Sequence, residues 1–238
     1  MKVLIANRGE IAVRIMRACR ELGLSSVAVY SDSDRLAPHV RYADQAIGLH
    51  ADSPDGTYLH IEKLIEAANQ TGAEMVHPGY GFLAENAEFA IACGHAGLRF
   101  VGPPPEVIAL MGGKTSARLA AKEAGVPIVP GTESFLDVSL AEDAVLETAK
   151  NIGYPLFVKA VAGGGGKGMR LVNESSELIG AVQTARSEAQ GAFGDSAVYL
   201  ERSVSPARHI EVQIMADNNG RVVPFVEREC SVQRRHQK

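Results

Sequence analysis

Residues 159–169 read Lys-Ala-Val-Ala-Gly-Gly-Gly-Gly-Lys-Gly-Met, a lysine that ends an apolar strand with a run of glycines behind it. Bare glycine backbone lets consecutive amides approach an anion closely, and phosphate is the anion that this pattern favours. A Walker loop would end in Gly-Lys-Ser/Thr at a helix, whereas a second strand follows here. The pattern therefore predicts a lid over the phosphates of a nucleotide. A surface hairpin without chemistry is the alternative, which the chain entropy of four glycines disfavours.

The chain before this stretch alternates short β-branched runs with amphipathic segments. That alternation is typical of βαβ units, which build a parallel sheet. Three prolines at 103–105 remove backbone donors, so we expect a stiff connector there. The turn at 7–10 lacks the glycine spacing of a dinucleotide loop, and NAD binding is rejected. Strands are predicted at 3–6, 26–30, 74–77 and 98–102, and helices at 10–22, 61–69 and 86–96.

A second set of elements surrounds the glycine loop. After residue 206 the pattern has the period of a strand, which sends Ile210, Val212 and Ile214 to one face, where we expect them to pack. Asn219 and Gly220 supply a two-residue hairpin turn. Helices are predicted at 115–123, 140–152 and 176–190, and strands at 155–160, 169–172, 198–204 and 221–227.

The composition is that of a globular protein without a strong overall charge. Hydrophobic residues make up 46% and charged residues 22%, so neither disorder nor a fibrous class is indicated. A net charge of −4 provides no general attraction to nucleic acid or to an anionic membrane. The three cysteines lack CxxC spacing, which argues against a metal framework and favours the cytoplasm. The apolar run at residues 3–6 is too short for a membrane span or a secretion signal.

Polar residues at the ends of predicted elements have two interpretations each. Lys114 begins a helix and is either a phosphate ligand or a solvated lysine. Glu201 ends an apolar strand and either faces the amino group of an adenine or is an exposed strand end. His209 shares the polar face of its strand with Glu211 and Gln213, and that face is either solvated or part of a site.

Residues 233–238, Gln-Arg-Arg-His-Gln-Lys, form a basic cluster with three interpretations. It is a frayed end of the chain, a nucleic-acid patch or an anion site. No aromatic residues are interleaved and the rest of the chain is acidic, so a nucleic-acid patch is disfavoured.

Five motifs in this order resemble those of biotin carboxylases, members of the ATP-grasp group. The motifs are Ile-Ala-Asn-Arg-Gly-Glu-Ile-Ala at 5–12, His-Pro-Gly-Tyr-Gly-Phe-Leu at 77–83, the glycine loop at 163–169, Arg-His-Ile-Glu-Val-Gln at 208–213, and Glu-Arg-Glu-Cys-Ser-Val-Gln-Arg-Arg-His-Gln-Lys at 227–238. The resemblance runs from the first residue to the last. It implies an α/β fold with a Rossmann-like parallel-sheet domain followed by an ATP-grasp domain that is incomplete here. The implied parts are that N-terminal domain at 1–103, a helical connector at 104–134, an ATP-grasp lid at 135–204, and the start of the large ATP-grasp subdomain at 205–238.

The resemblance also implies a nucleotide site. Lys114 and Lys159 would contact phosphates, and Lys238 would be the catalytic lysine that meets bicarbonate. Positions 202 and 204 are Arg and Val where close relatives often carry Lys and Leu, but these positions act largely through their backbone. The other implied ATP-binding residues are Gly164, Gly165, Gly166, Gly168, Met169, Glu201, Arg202, Val204, His209, Gln233 and His236.

The implied enzyme is an ATP-dependent ligase. Bicarbonate attacks the γ-phosphoryl group of MgATP, and carboxyphosphate then supplies CO2 to biotin on a carrier protein or domain, which serves a carboxyltransferase. The resemblance implies a homo-oligomer and neither nucleic-acid nor membrane partners. The ligands for Mg2+, the catalytic arginines and the biotin pocket are expected beyond residue 238, so we expect this chain alone to be inactive.

Two alternatives remain open at this point. The chain could be a fragment that binds nucleotide without turnover, or part of another ATP-grasp ligase, such as one that makes carbamoyl phosphate. The basic run at 233–238 disfavours the second alternative. The sequence leaves open whether the parent enzyme serves acetyl-CoA, propionyl-CoA or pyruvate.

Overall fold

A computed structural model describes residues 1–136, 140–162 and 168–232, without the side chain of Phe193. The chain divides into two compact units, Met1–Ala117 and Arg118–Lys238. The domain boundaries predicted from the sequence, after residues 103, 134 and 204, stay predictions.

The first unit alternates strands and helices, as the hydrophobic pattern predicts. Its strands are β1 (Lys2–Ile5), β2 (Ser25–Tyr30), β3 (Gln45–Gly48), β4 (Met75–His77) and β5 (Arg99–Phe100). Its helices are α1 (Gly9–Glu21), α2 (Pro38–Tyr42), α3 (Ile61–Thr71), α4 (Ala87–His95), α5 (Pro105–Gly112) and α6 (Lys114–Glu123), and Asp32–Asp34 form a short 3-10 helix. The last helix, α6, crosses the division between the two units.

The five strands form a parallel sheet in the order β3-β2-β1-β4-β5. In the central strand β1, Leu4 packs in one core with Leu64 of α3 and Phe89 of α4. Its neighbour Ile5 packs in a second core with Ile15 of α1. Because successive side chains of a strand point to opposite faces, helices cover both faces of the sheet. This is the doubly wound arrangement that the sequence predicts.

The second unit contains an antiparallel sheet under two helices. Its elements are α7 (Glu142–Ile152), β6 (Leu156–Ala160), β7 (Met169–Val172), α8 (Ser175–Phe193), β8 (Val198–Arg202), β9 (Ile210–Ala216) and β10 (Val222–Glu229). Three of the strands pair in the order β7-β6-β8. Leu156 and Leu200 of this sheet are buried against Val145 of α7 and Leu178 of α8. One face of the sheet is therefore core, and the other is turned away from the helices.

Strands β9 and β10 form a two-stranded antiparallel hairpin. Asp217 closes its turn, because the carboxylate accepts the backbone N–H groups of Asn219 and Arg221 at 2.9 and 3.0 Å. A hairpin turn is thus confirmed here, but the two-residue type predicted at Asn219 and Gly220 is wrong. The N–H of Asp217 donates to the carbonyl of Arg221 at 3.0 Å, which leaves residues 218–220 in the loop, and Gly220, at a φ of +80°, is the loop residue with a positive φ.

The packing expected for the apolar face of this hairpin is wrong. Ile210, Val212 and Ile214 are 46%, 51% and 61% exposed, although their alternation along β9 is as predicted. The period of a strand predicts which side chains share a face, but it does not determine whether another layer covers that face.

Four elements of the first unit had no predicted range of their own. The 3-10 helix, α2 and β3 are short and lack a long periodic run, and α5, which begins at Pro105, lies inside the helical connector implied at 104–134, in a proline stretch where we expected no helix. Proline is tolerated at the first position of a helix because its missing N–H would have no intrahelical partner there. The third proline therefore starts a helix.

Candidate functional site

A group of charged side chains in the second unit lies on the open face of the β7-β6-β8 sheet. Along β6, alternate residues from Leu156 are buried, whereas Phe157 and Lys159 point to the other face. Phe157 pairs with Glu201 of β8, and Lys159 pairs with Tyr199. Directly opposite residues of antiparallel strands share a face, so these four side chains belong to one surface.

Two cations converge on the carboxylate of Glu201. Lys159 Nζ bonds to Glu201 Oε1, and Arg118 Nη1 lies 3.2 Å from Glu201 Oε2. The side chains of Lys159, Arg118 and Glu201 are 22%, 16% and 18% exposed, so water screens these ion pairs only in part. Two positive charges and one negative charge leave this cluster, which we call the Glu201 cluster, with a positive excess that an anion would neutralise.

Both ends of the predicted glycine loop lie beside Lys159. The N–H of Ala160 donates to the carbonyl of Gly168 at 2.8 Å, and Met169 is the register partner of Lys159. The strand, loop, strand order of the sequence prediction is thus confirmed at the loop's two ends. Gly164, Gly165 and Gly166 lie outside the described residues.

Tyr199 is the titratable side chain of this face that carries no charge. Burial, and to a smaller extent the negative charge of Glu201, raise the pKa of its phenol to about 12, while the positive charge of Arg118 opposes the shift. The phenol therefore stays protonated at neutral pH and adds no charge to the Glu201 cluster.

The other residues predicted to face the adenine lie in and after β8. The N–H of Arg202 donates to the carbonyl of Pro130 at 2.8 Å, and Val204 is 57% exposed. The N–H of His209 donates to Ser231 Oγ at 2.9 Å, which ties the start of β9 to the end of the hairpin. The nucleotide roles of these residues stay predictions.

The remaining predicted site residues cannot be placed on this face. Lys114 is half-buried at the start of α6 and belongs to the first unit. Gln233, His236 and Lys238 lie outside the described residues. Their roles likewise stay predictions.

Arg118 was not among the residues predicted from the sequence to form the site. Its partner Glu201 is 83 positions away in the chain, so no local pattern predicts the pair. A weak signal was present, because Arg118 lies one helical turn after Lys114 in α6, a spacing that places two side chains on one helix face.

The first unit contains a different cluster of charges. Arg8 Nε and Nη2 each bond to the carboxylate of Asp34 at 2.5 Å, and the hydroxyl of Tyr58 donates to the same carboxylate at 2.6 Å. The Tyr58 oxygen in turn accepts the N–H of Ser31 at 3.0 Å. These bonds hold the pKa of Asp34 at about 2, mainly through Arg8. We call this group the Asp34 cluster.

The turn after β1 is fixed by its asparagine. The side-chain amide of Asn7 donates to the carbonyls of Pro78 and Tyr80 at 2.7 and 2.8 Å, which joins the turns after β1 and β4. A Cβ at Gly79 would lie 2.8 Å from Asn7 Nδ2, so glycine is required for this approach. The Asn7 amide is thus used to hold the two turns together.

Neither a membrane span nor a metal cluster is found in the described part of the chain. No helix there is long and apolar enough to cross a bilayer. Among residues 1–136, 140–162 and 168–232, no group of three His, Cys, Asp or Glu side chains could hold a metal ion.

Two family models match the chain. The biotin carboxylase N-terminal domain matches residues 1–108, and the ATP-binding domain of the carbamoyl-phosphate synthase L chain matches residues 113–238. The second model identifies the part that contains the Glu201 cluster as an ATP-binding domain.

Relatives match over the whole length of this chain. The biotin carboxylases of Pseudomonas aeruginosa and of a Nostoc species are 51% and 50% identical to it, each over 237 residues. Each match covers 100% of this chain but 52% of the relative. The chain thus spans about half the length of the curated relatives that it matches.

A solved structure agrees with this family. The biotin carboxylase domain dimer of Hydrogenobacter thermophilus 2-oxoglutarate carboxylase, in complex with MgADP, ADP and bicarbonate, matches with a TM-score of 0.90 at 45% identity. The match covers 100% of this chain and 51% of that one. The resemblance carried by the five motifs is therefore confirmed, and this chain belongs to the biotin carboxylase family.

Proposed function

We propose that this chain supplies the nucleotide-binding part of an enzyme that uses ATP and bicarbonate to carboxylate biotin on a carrier protein or domain. The observation that carries the proposal is the Glu201 cluster, a positive site on an open sheet face at both ends of a glycine loop. Phosphate is the ligand that such a site favours, because glycine backbone and lysine charge both suit it. The relatives named above support biotin as the acceptor.

The proposed roles of the site residues are those that the resemblance to biotin carboxylases implies. Lys159 would leave Glu201 to bind a phosphate of ATP, and Gly164, Gly165, Gly166, Gly168 and Met169 would close over it. Glu201, Arg202 and Val204 would face the adenine. Lys114 would add a second phosphate contact, and His209, Gln233 and His236 would lie near the ribose and phosphates. Lys238 would meet bicarbonate as the catalytic residue.

The proposed chemistry has two steps. A bicarbonate oxygen bonds to the γ-phosphorus of ATP while the bond to ADP breaks, which gives carboxyphosphate. Carboxyphosphate breaks into CO2 and phosphate, phosphate takes the N1' proton of biotin, and the resulting anion bonds to CO2. Closure of the glycine loop would exclude water, which otherwise destroys carboxyphosphate. Bound Mg2+ would neutralise charge on the phosphates, and its ligands are expected outside the described residues.

The partners follow from the same proposal. A carrier protein or domain would present biotin, and a carboxyltransferase would use the carboxylated product. We further propose a homo-oligomer, as the resemblance implies and as the dimer of the Hydrogenobacter thermophilus relative supports. We also propose a place in the cytoplasm, since the cysteines lack any disulfide or metal spacing and two of them, Cys19 and Cys93, are buried and free.

The first experiment tests nucleotide binding by the 238-residue chain. We expect Lys159→Ala to weaken ATP binding by about 2 kcal/mol, roughly thirtyfold, because a charged hydrogen-bond partner is lost. Isothermal titration with ATP would measure it. Lys150→Ala is the matched control, because Lys150 is an exposed lysine in the last turn of α7, and its ATP affinity should equal that of the wild type. An unchanged affinity in Lys159→Ala would remove Lys159 from the site.

A second experiment separates the carboxylase from a fragment that only binds nucleotide. The 238 residues would replace the matching 237 residues of the Pseudomonas aeruginosa biotin carboxylase. We expect bicarbonate-dependent ATP hydrolysis that rises when free biotin is added. A folded chimaera that binds ATP without bicarbonate-dependent turnover would contradict the carboxylase proposal and support the fragment.

A further inference from the structure

Arg118 is held in one position by two different acceptors. Its Nη2 donates to the carbonyl of Val129 at 2.7 Å, and its Nη1 reaches Glu201 Oε2 at 3.2 Å. The Arg118 side chain is 16% exposed, and its bond to Glu201 is partly buried, whereas its bond to the carbonyl of Val129 is exposed. A guanidinium has a rigid planar fork, and fixing two of its nitrogens fixes the whole group.

The backbone of residues 130–136 leaves room for the guanidinium of Arg118 beside β8. Residues 130–136 run along the free edge of β8, where the N–H of Thr132 donates to the carbonyl of Leu200 at 2.9 Å and Gly131 forms an antiparallel bridge with Glu201. A Cβ at Gly131 would lie 2.6 Å from Leu200 O and 3.1 Å from Arg118 Nη2. Glycine at this position therefore lets the segment, the strand and the guanidinium approach each other.

The two cations of the Glu201 cluster differ in how firmly they are held. Lys159 has a flexible four-carbon side chain, and its ammonium can turn to a phosphate. Arg118, in contrast, is held by its bond to the carbonyl of Val129. When Lys159 turns to phosphate, Arg118 is the cation that remains on the carboxylate.

We propose that Arg118 is a positioning residue that holds the Glu201 carboxylate toward the 6-amino group of the purine while Lys159 binds phosphate. The inference rests on the nucleotide site proposed above. A fixed carboxylate accepts a hydrogen bond from a 6-amino purine and repels the oxygen of a 6-oxo purine. Arg118 thus contributes to the preference for ATP over GTP.

The test is the ratio of the ATP and GTP affinities of the full 238-residue chain. In Arg118→Ala we expect ATP affinity to fall about tenfold and GTP affinity about twofold, so that the ratio falls about fivefold. A loss of folded protein lowers both affinities by the same factor, so the ratio is insensitive to stability. Isothermal titration with each nucleotide provides the two affinities.

Three further variants separate positioning from other causes. Arg118→Lys keeps the charge but has one nitrogen for two acceptors, so its ratio should fall as in Arg118→Ala. In a Glu201→Gln background, Arg118→Ala should leave the ratio unchanged, because it acts through Glu201. Arg186→Ala is the matched control, since this half-buried arginine of the same unit donates to the carbonyl of Leu136 at 2.9 Å, and its ratio should equal that of the wild type.

The contradicting outcomes are distinct. A wild-type ratio in Arg118→Ala, full rescue by Arg118→Lys, or an equal fall in Arg186→Ala would each overturn the positioning role while leaving the nucleotide site in place. A wild-type chain that binds neither ATP nor GTP would overturn the proposed nucleotide site and this inference with it.

Discussion

The Asp34 cluster and the Glu201 cluster each place a shielded carboxylate beside an arginine, but their bonds are arranged differently. The side chain of Asp34 is 10% exposed, and its carboxylate accepts two hydrogen bonds from Arg8 and one from Tyr58. The Tyr58 oxygen in turn accepts the backbone N–H of Ser31. Glu201 receives two cations, one of which is a flexible lysine on an open face. In the Asp34 cluster the charged groups and the phenol are bonded within the cluster, which favours a role in stability, so we call it the closed cluster. In the open Glu201 cluster the lysine can leave the carboxylate for a ligand, which favours a role in binding.

The largest loss of stability is expected when the Asp34 carboxylate of the closed cluster is removed. Asp34→Ala leaves the charge of Arg8 and the hydroxyl of Tyr58 without their acceptor, so we expect the free energy of unfolding to fall by about 3 kcal/mol. Urea unfolding followed by circular dichroism would measure it. Asp32→Ala, in the same 3-10 helix but exposed, is the control and should change stability by less than about 0.5 kcal/mol. A loss below about 1 kcal/mol for Asp34→Ala would show that the closed cluster contributes little to the stability of the fold.

Protonation of Asp34 in acid should cause a smaller loss of stability in the same cluster. The pKa of Asp34 is lowered from 3.8 to about 2 in the folded chain, so its contribution is fully present above pH 4 and is lost as the pH falls toward 2. The shift corresponds to about 2 kcal/mol, of which about half is lost by pH 3. Comparing urea unfolding of the wild type and Asp34→Asn at pH 6 and pH 3 would measure it, because the difference between the two proteins should shrink in acid. A difference that is constant with pH would contradict the assignment.

The smallest expected effect comes from the tyrosine. Tyr58→Phe removes the bonds to Asp34 and Ser31 but keeps the ring that stacks on Phe82 at 5.1 Å, so we expect a loss of about 1 kcal/mol. Tyr42→Phe removes a more exposed bond, the one from Arg20 Nη1, and serves as the control with a smaller loss in the same urea titration. Equal losses in the two variants would mean that burial of the Tyr58 hydroxyl bond is unimportant.

Much of the fold could be predicted because its elements are long and periodic. The strand predicted at 169–172 coincides with β7, and the helix predicted at 10–22 differs from α1 by one residue at each end. The elements that were missed, β3 and α2, have four and five residues, and their formation depends on the neighbouring sheet. The helix that begins at Pro105 was missed because the prolines were taken only as helix breakers, although proline is favoured at the first position of a helix.

The candidate site could be predicted only in part. Lys159 and Glu201 end apolar strands, and strand alternation predicts that such residues leave the core. Arg118 could not be predicted, because its place beside Glu201 depends on residues 130–136 pairing with the edge of β8. Contacts between segments distant in the chain are set by tertiary packing, which local patterns do not encode.

The central claim is that the open Glu201 cluster binds nucleotide and the closed Asp34 cluster maintains the fold. The most direct test measures both ATP affinity and unfolding free energy for Lys159→Ala and Asp34→Ala in the 238-residue chain. We expect Lys159→Ala to lose roughly thirtyfold in ATP affinity with less than about 1 kcal/mol of stability, because Arg118 remains as a partner of the Glu201 carboxylate. Asp34→Ala should lose stability while its folded fraction binds ATP like the wild type. Equal losses of both properties in both variants would contradict the account.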